Sequence, residues 1–171
     1  MERRIFLTAA AGLVPLTALA AAKLTLRERV LGTWRIVDAE TVDVETGAST
    51  PWGGKPRPYS GIIVYQPNGW MSVHIGAARQ PLRADASLGS VSDSEKIGWF
   101  DTWYGYYGKF EIDEAQSKVR HYVEGSMIAY ETGVTLTRSI KMDGGLLTLT
   151  TENRAATAAG ATFNRLTWRK L

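Results

Sequence analysis

The sequence predicts an all-β fold: an eight-stranded up-and-down antiparallel barrel, with a short N-terminal helix and one helix between strands three and four. Three observations carry that expectation. Apolar and polar residues alternate in eight runs of strand length. Turn-forming residues separate those runs, and a new run begins roughly every ten to fifteen positions, a spacing that fits a meander and not β-α-β crossovers. Glycine is abundant, with 17 in 171 residues, beside many Thr, Val and Tyr. Eight strands can close around a space just wide enough for one small molecule, and closure leaves no exposed sheet edge.

Residues 1–22 read as an export signal and are set apart from the folded domain, 23–171. The charged head Glu2-Arg3-Arg4 precedes an uncharged stretch from Ile5 to Ala22 that ends in small residues suited to a signal peptidase. Its Ala, Gly, Thr and Pro make it weakly hydrophobic for a permanent anchor. Arg3-Arg4-Ile5-Phe6-Leu7 resembles a twin-arginine signal, and the general secretory route stays open. The expectation is a periplasmic or secreted protein with no membrane anchor after cleavage. The chain has no cysteine, which excludes disulfides, thiolate catalysis and Cys-ligated zinc.

Leu24 to Leu31 has helical spacing and stops at Gly32. The first strand, Thr33 to Asp43, sets Trp34, Ile36, Asp38, Glu40 and Val42 on one face and Thr33, Arg35, Val37, Ala39 and Thr41 on the other. Residues 45–59 carry too many Gly and Pro for a regular element and read as loop. Ser60 to Gln66 and Trp70 to Gly76 form a hairpin around Pro67-Asn68-Gly69. Ser92-Asp93-Ser94-Glu95 matches a capping box and starts a helix over about Asp93 to Tyr104. Five further strands follow: Gly105 to Ile112, Lys118 to Gly125, Gly133 to Met142, Leu146 to Asn153 and Thr162 to Lys170.

Seven aromatic residues crowd the junction of helix and strand: Trp99, Phe100, Trp103, Tyr104, Tyr106, Tyr107 and Phe110. The helical members make two adjoining stripes, a face expected to bury itself against the barrel mouth as a lid. In the strand, Tyr106 and Phe110 share a face and read as core or cavity wall. Trp103 and Tyr106, on either side of Gly105, are the pair expected to touch a bound ligand.

The net charge is +3 and no basic run appears, so nucleic acid is not an expected partner. Hydrolase, phosphate-loop and metalloprotease motifs are absent. With two histidines, His74 and His121, no metal-ligand spacing is laid out, and nothing calls for a cofactor. His121 shares parity with Val119 and Val123, which makes it an inward imidazole: a satisfied structural group, a polar ligand contact, or a general base. His74 is as well placed for solvent as for burial. Arg138 lies in phase with Val134, Leu136 and Ile140 and needs a partner, for which Asp38 or Glu40 is in position, or else the carboxylate or enolate of a ligand. Tyr65 offers its hydroxyl either to the cavity or to the core. Glu124 faces outward.

The order of several short motifs resembles the small lipocalin-like domain family of bacteria and fungi, a calycin-type barrel with a G-x-W start. These are Leu31-Gly32-Thr33-Trp34, Gly61-Ile62-Ile63-Val64-Tyr65 with Asn68-Gly69, Tyr107-Gly108, His121-Tyr122-Val123-Glu124-Gly125-Ser126, and Gly133 with Arg138 ahead of Leu147-Thr148-Leu149. The resemblance runs from about Leu31 to Arg169. It implies a central cavity, a structural Trp34 on the barrel floor, and a late-strand arginine packed over that tryptophan, for which Arg138 is the candidate. Such barrels include carriers and cofactor-free cyclases or isomerases, so the fold does not choose between them. The leading expectation is a barrel that binds one small apolar or aromatic molecule, lined by Trp103, Tyr106, Tyr65, His121, Phe110 and Glu40. The alternatives are a cofactor-free isomerase, cyclase or dehydratase, with His121 as base and Arg138 or Tyr65 stabilising an oxyanion, and a structural role in the cell envelope.

Overall fold

The computed structural model describes residues 24–152, 155–157 and 160–171, so the expected export signal lies outside the described residues. The chain runs α1 (Leu26–Val30), β1 (Gly32–Asp43), β2 (Ser49–Pro51), β3 (Ser60–Tyr65), β4 (Trp70–Gly76), α2 (Asp93–Asp101), β5 (Trp103–Asp113), β6 (Lys118–Ser126), β7 (Thr135–Asp143), β8 (Leu146–Thr151), β9 (Ala155–Thr157) and β10 (Gly160–Lys170). Single 3₁₀ turns occupy Trp52–Gly54 and Ala129–Glu131. The barrel is β1-β3-β4-β5-β6-β7-β8-β10, antiparallel throughout, and β10 pairs back onto β1 to close it. The eight expected strands are these eight. The short strands β2 and β9 add to the rims on β1 and β10.

The floor is closed by α1. Thr25 and Glu28 form a reciprocal capping box, and the Glu114 carboxylate, on the β5–β6 turn, accepts from the free Leu26 and Arg27 N–H groups at 2.9 and 2.8 Å. Val30 is fully buried, and its carbonyl accepts from Trp34 Nε1 at 2.8 Å, which ties the helix to the first strand. Gly32 does not end the helix but opens β1, at φ 121°, a backbone state in which a side chain is strained. The cation over Trp34 is Lys170, with Nζ 5.2 Å from the ring, and not Arg138.

Two bulges decide which side chains face inward. In β1, Ile36 pairs with Trp168 but Asp38 with Thr167, so Val37 is an extra residue and stands exposed. The strand changes phase there: Trp34 and Ile36 are buried before it, and Ala39 after it. The expected single face through Asp38 and Glu40 is therefore broken, and both carboxylates pair outside the cavity. Asp38 takes a two-pronged contact from Arg57 at 2.7 and 3.0 Å, which holds its carboxyl below the usual range, and Glu40 takes Arg165 at 2.8 and 2.9 Å. In β6, Glu124 is the extra residue opposite Tyr107 and Gly108, and it faces outward as expected.

The capping box of α2 forms between Ser92 and Glu95, but the helix stops at Asp101. Trp103 and Tyr104 are instead claimed by the sheet, opposite Gly76 and Ile75. The ladder hydrogen bonds outweigh two more residues of helix at a strand edge that would otherwise be unpaired. The aromatic face does not become a buried lid. No residue of α2 is buried, Ile97 and Phe100 are exposed, and Trp99 lines an open groove with Pro56 and Pro81.

Candidate functional site

A cavity of about 250 Å³ occupies the upper half of the barrel. Its apolar wall comes from Ile63 of β3, Val73 and Ile75 of β4, Leu149 of β8, and Leu166 and Trp168 of β10. Trp52 closes one side from the loop before β3; its edge meets Tyr104 at 5.6 Å between ring centres, and its backbone N–H donates to the Tyr59 hydroxyl at 2.9 Å. The polar groups are Tyr104 and Tyr106 of β5, His121 of β6, Arg138 of β7, Glu131 of the second 3₁₀ turn, Thr151 and Asn164. Tyr130, 84% exposed, also borders the cavity, so the mouth opens beside the Ala129–Glu131 turn, at the end away from α1.

Among the described residues His121 is the one buried polar or charged group outside the hydrophobic set, at 1% exposure, and both its nitrogens are engaged. Nε2 lies 2.8 Å from the Tyr65 hydroxyl and Nδ1 lies 2.7 Å from that of Tyr106. Burial, helped by the charge of Arg138, pushes the imidazole well below its ordinary range, so it is neutral at physiological pH. Burial also raises both phenols, that of Tyr65 well above its usual value, while Arg138 opposes the rise. At the mouth, Tyr104 donates to Glu131 at 3.0 and 3.2 Å, and Ser126 donates to the same carboxylate at 3.0 Å. Burial of the ring, with Tyr106 and Glu131 close by, raises the Tyr104 phenol far out of its usual range.

The structure brings Tyr65, His121, Tyr106 and Arg138 into one cluster. Tyr106, His121 and Arg138 face the cavity, while Tyr65 and Phe110 lie beneath it, edge to face at 4.9 Å between ring centres. Phe110 is covered from below by the Arg27 guanidinium at 5.1 Å, which makes it floor packing and not wall. With both nitrogens of His121 bonded to tyrosine hydroxyls, no ring nitrogen is free to meet a ligand, and Tyr106 is the group between them. Arg138 has no carboxylate within salt-bridge distance among the described residues; one Nη donates to the Thr137 carbonyl at 3.0 Å. Glu40 is outside, for the reason given by the Val37 bulge. Trp103 is outside as well, on the barrel's outer surface in a groove with Tyr59, Ile62 and His74, the last of which is exposed.

Among the wall residues that escape sequence reasoning are Trp52, Tyr104, Glu131 and Trp168. Trp52 sits in a Gly/Pro-rich loop, and a large aromatic ring there is itself a signal that the loop folds over something apolar. Tyr104 is one strand step from Tyr106 on the same face, visible only once the helix is ended early. Trp168 alternates with Leu166 in the last strand and carries a clear period-two signal. Glu131 has no such mark.

No curated protein matches the chain. The family model described as the lipocalin-like domain matches residues 31–171, from the start of the G-x-W motif through the last strand and over every element of the barrel. Over these residues the structure is a closed eight-stranded antiparallel barrel with a cavity open at one end; the chain belongs to the lipocalin-like domain family.

Proposed function

We propose that this protein is an exported container that binds one small apolar or aromatic molecule in the barrel cavity. The observation that carries the reading is a cavity of about 250 Å³ in which an aliphatic and aromatic wall faces a small set of polar groups, inside a barrel of a family that in general binds small molecules. A cavity of roughly 150 Å³ holds a benzene ring, so this one has room for one ring with substituents or for two fused rings. A purely structural barrel has no use for such a space, because filling it would add stability. Export rests on the sequence of residues 1–22, with its charged head, uncharged stretch and Ala-rich end.

Isothermal titration calorimetry with toluene, indole and naphthalene tests the container. Saturable one-to-one binding that is lost when Leu149→Phe fills the wall is expected; absence of saturable binding by all three, or binding unaffected by the filled cavity, overturns it. For export, the full-length chain expressed in a bacterium should yield a mature form in the periplasm or medium, shortened at the Ala18–Ala22 stretch. Retention of the intact N-terminus in the cytoplasm refutes that part alone.

A further inference from the structure

The hydroxyl protons around His121 can be placed by elimination. Tyr65 is 1% exposed, and among the described residues its hydroxyl has one hydrogen-bond partner, His121 Nε2. If Nε2 carried the imidazole proton, the Tyr65 hydroxyl would accept it and its own hydrogen would point into a dry core, an arrangement that buried polar groups avoid. Tyr65 therefore donates, Nε2 accepts, and the single proton of the neutral ring sits on Nδ1. Nδ1–H then donates to the Tyr106 oxygen at 2.7 Å. That leaves the Tyr106 O–H with no acceptor among the described residues, on a residue that lines the cavity.

Two further donors share this wall. Arg138 lies beside the Tyr106 hydroxyl, faces the cavity and has no carboxylate partner among the described residues. Trp168, 1% exposed, keeps an Nε1–H with no acceptor, the one buried side-chain polar atom without a partner among the described residues. Among the described residues one carboxylate borders the cavity, that of Glu131, and it is already engaged by Tyr104 and Ser126 at the mouth. A positive charge and two surplus N–H or O–H donors around one apolar space are the complement of an acceptor with negative charge.

Resting on the container reading above, we propose that the ligand of this cavity carries an oxyanion conjugated to its ring, a carboxylate or an enolate-type oxygen, seated between Tyr106 O–H and Arg138. Tyr65 and His121 are positioning residues: they fix the direction of the Tyr106 proton and do not touch the ligand. The apolar wall of Ile63, Val73, Ile75 and Leu149 takes the ring.

The test is calorimetric titration at pH 7.5 with benzoate and 2-naphthoate against their methyl esters, and with 4-nitrophenol followed by its visible absorption. The acids should bind about tenfold or more tightly than the esters. Bound 4-nitrophenol should show the phenolate band in buffer acidic enough to keep the free dye neutral, and this arm separates enolate-like from carboxylate preference. Arg138→Met and Tyr106→Phe should each remove most of the acid's advantage over its ester. Equal binding of acid and ester by the unaltered protein, an advantage for the ester, or acid affinity that survives Arg138→Met overturns the proposal, with no need for a variant in the first two cases. Binding of toluene and indole without any acid preference defeats the oxyanion site alone; failure of every probe, neutral and charged, defeats the container reading.

Discussion

Tyr65 holds Nε2 of His121 at 2.8 Å from beneath, in a part of the core that the cavity does not reach. Its counterpart Tyr106 holds Nδ1 from the cavity side. The two hydroxyls are chemically alike but unequal in consequence. Tyr65→Phe leaves an imidazole acceptor with nothing to replace the lost donor and should destabilise the fold by about 1–3 kcal/mol. Tyr106→Phe exposes Nδ1–H to a space that water or ligand can enter, and should cost less than about 1 kcal/mol. Urea denaturation at pH 7.5 checks the order; a larger loss for Tyr106→Phe would contradict the proton placement.

The buried imidazole also sets a pH dependence. Its folded-state value lies well below the ordinary 6.5 because burial, and then Arg138, disfavour the charged ring. Below pH 6.5 the unfolded chain takes up a proton that the folded protein refuses, so stability is fully present above that point and falls as the pH drops towards the folded-state value. The slope attributable to this one group approaches about 1.4 kcal/mol per pH unit. Denaturation at pH 7.5 and pH 5.5 should show the loss in the unaltered protein and a much flatter response in His121→Gln. Parallel slopes for the two proteins would place the titrating group elsewhere.

The strand count, the hairpin at Asn68-Gly69, the capping box of α2 and the inward faces of β5, β6 and β7 were all legible as period and punctuation. The misplaced site residues trace to two local events that leave no periodic signal. One is the bulge at Val37: plain alternation puts Val37 on the face of Thr33 and Arg35 and keeps Glu40 in phase with Trp34, whereas the ladder with β10 skips Val37. The other is the handover from α2 to β5, where the aromatic spacing of Trp99, Phe100, Trp103 and Tyr104 reads equally well as helix or strand and the ladder with Gly76 decides. Deleting Val37 tests the first. It would let Asp38 follow Ile36 directly, as it already does in the ladder with β10, so Ala39 stays inward and both carboxylates stay outside. The variant should fold with a stability within about 1–2 kcal/mol of the unaltered protein, as read by thermal denaturation, and failure to fold would mean that Val37 is not the extra residue.

Gly32 shows why the G-x-W motif begins with glycine here. Its φ is 121°, and a Cβ would meet Lys170 Cε at 3.2 Å, next to the ammonium group that covers Trp34 and donates to the Arg29 carbonyl at 3.1 Å. Gly32→Ala should cost about 1–3 kcal/mol through backbone strain. Lys170→Met should cost less, about 0.5–1 kcal/mol for an exposed cation over a ring. Arg138→Met should be close to neutral or stabilising in the empty protein, since it removes a half-buried charge without a counter-ion. Thermal melts of the three variants without ligand separate the floor cation from the cavity cation; a large loss for Arg138→Met would return it to a structural role.

Glu131 is the residue through which access to the cavity can be tested. The 3₁₀ turn that carries it borders the mouth and is fastened to the barrel by hydrogen bonds from Tyr104 and Ser126 to one carboxylate, while the neighbouring Tyr130 stands in solvent. These bonds hold the turn over the opening without contributing to the apolar wall. Glu131→Ala should therefore release the turn, so that ligand enters and leaves faster, while the equilibrium affinity for a neutral probe such as indole changes by less than about threefold. Stopped-flow mixing followed by the fluorescence of Trp52 and Trp168, both cavity walls, measures the two rates separately. Association and dissociation rates rising together identify the turn as the gate; an unchanged pair of rates places the ligand's path elsewhere on the rim.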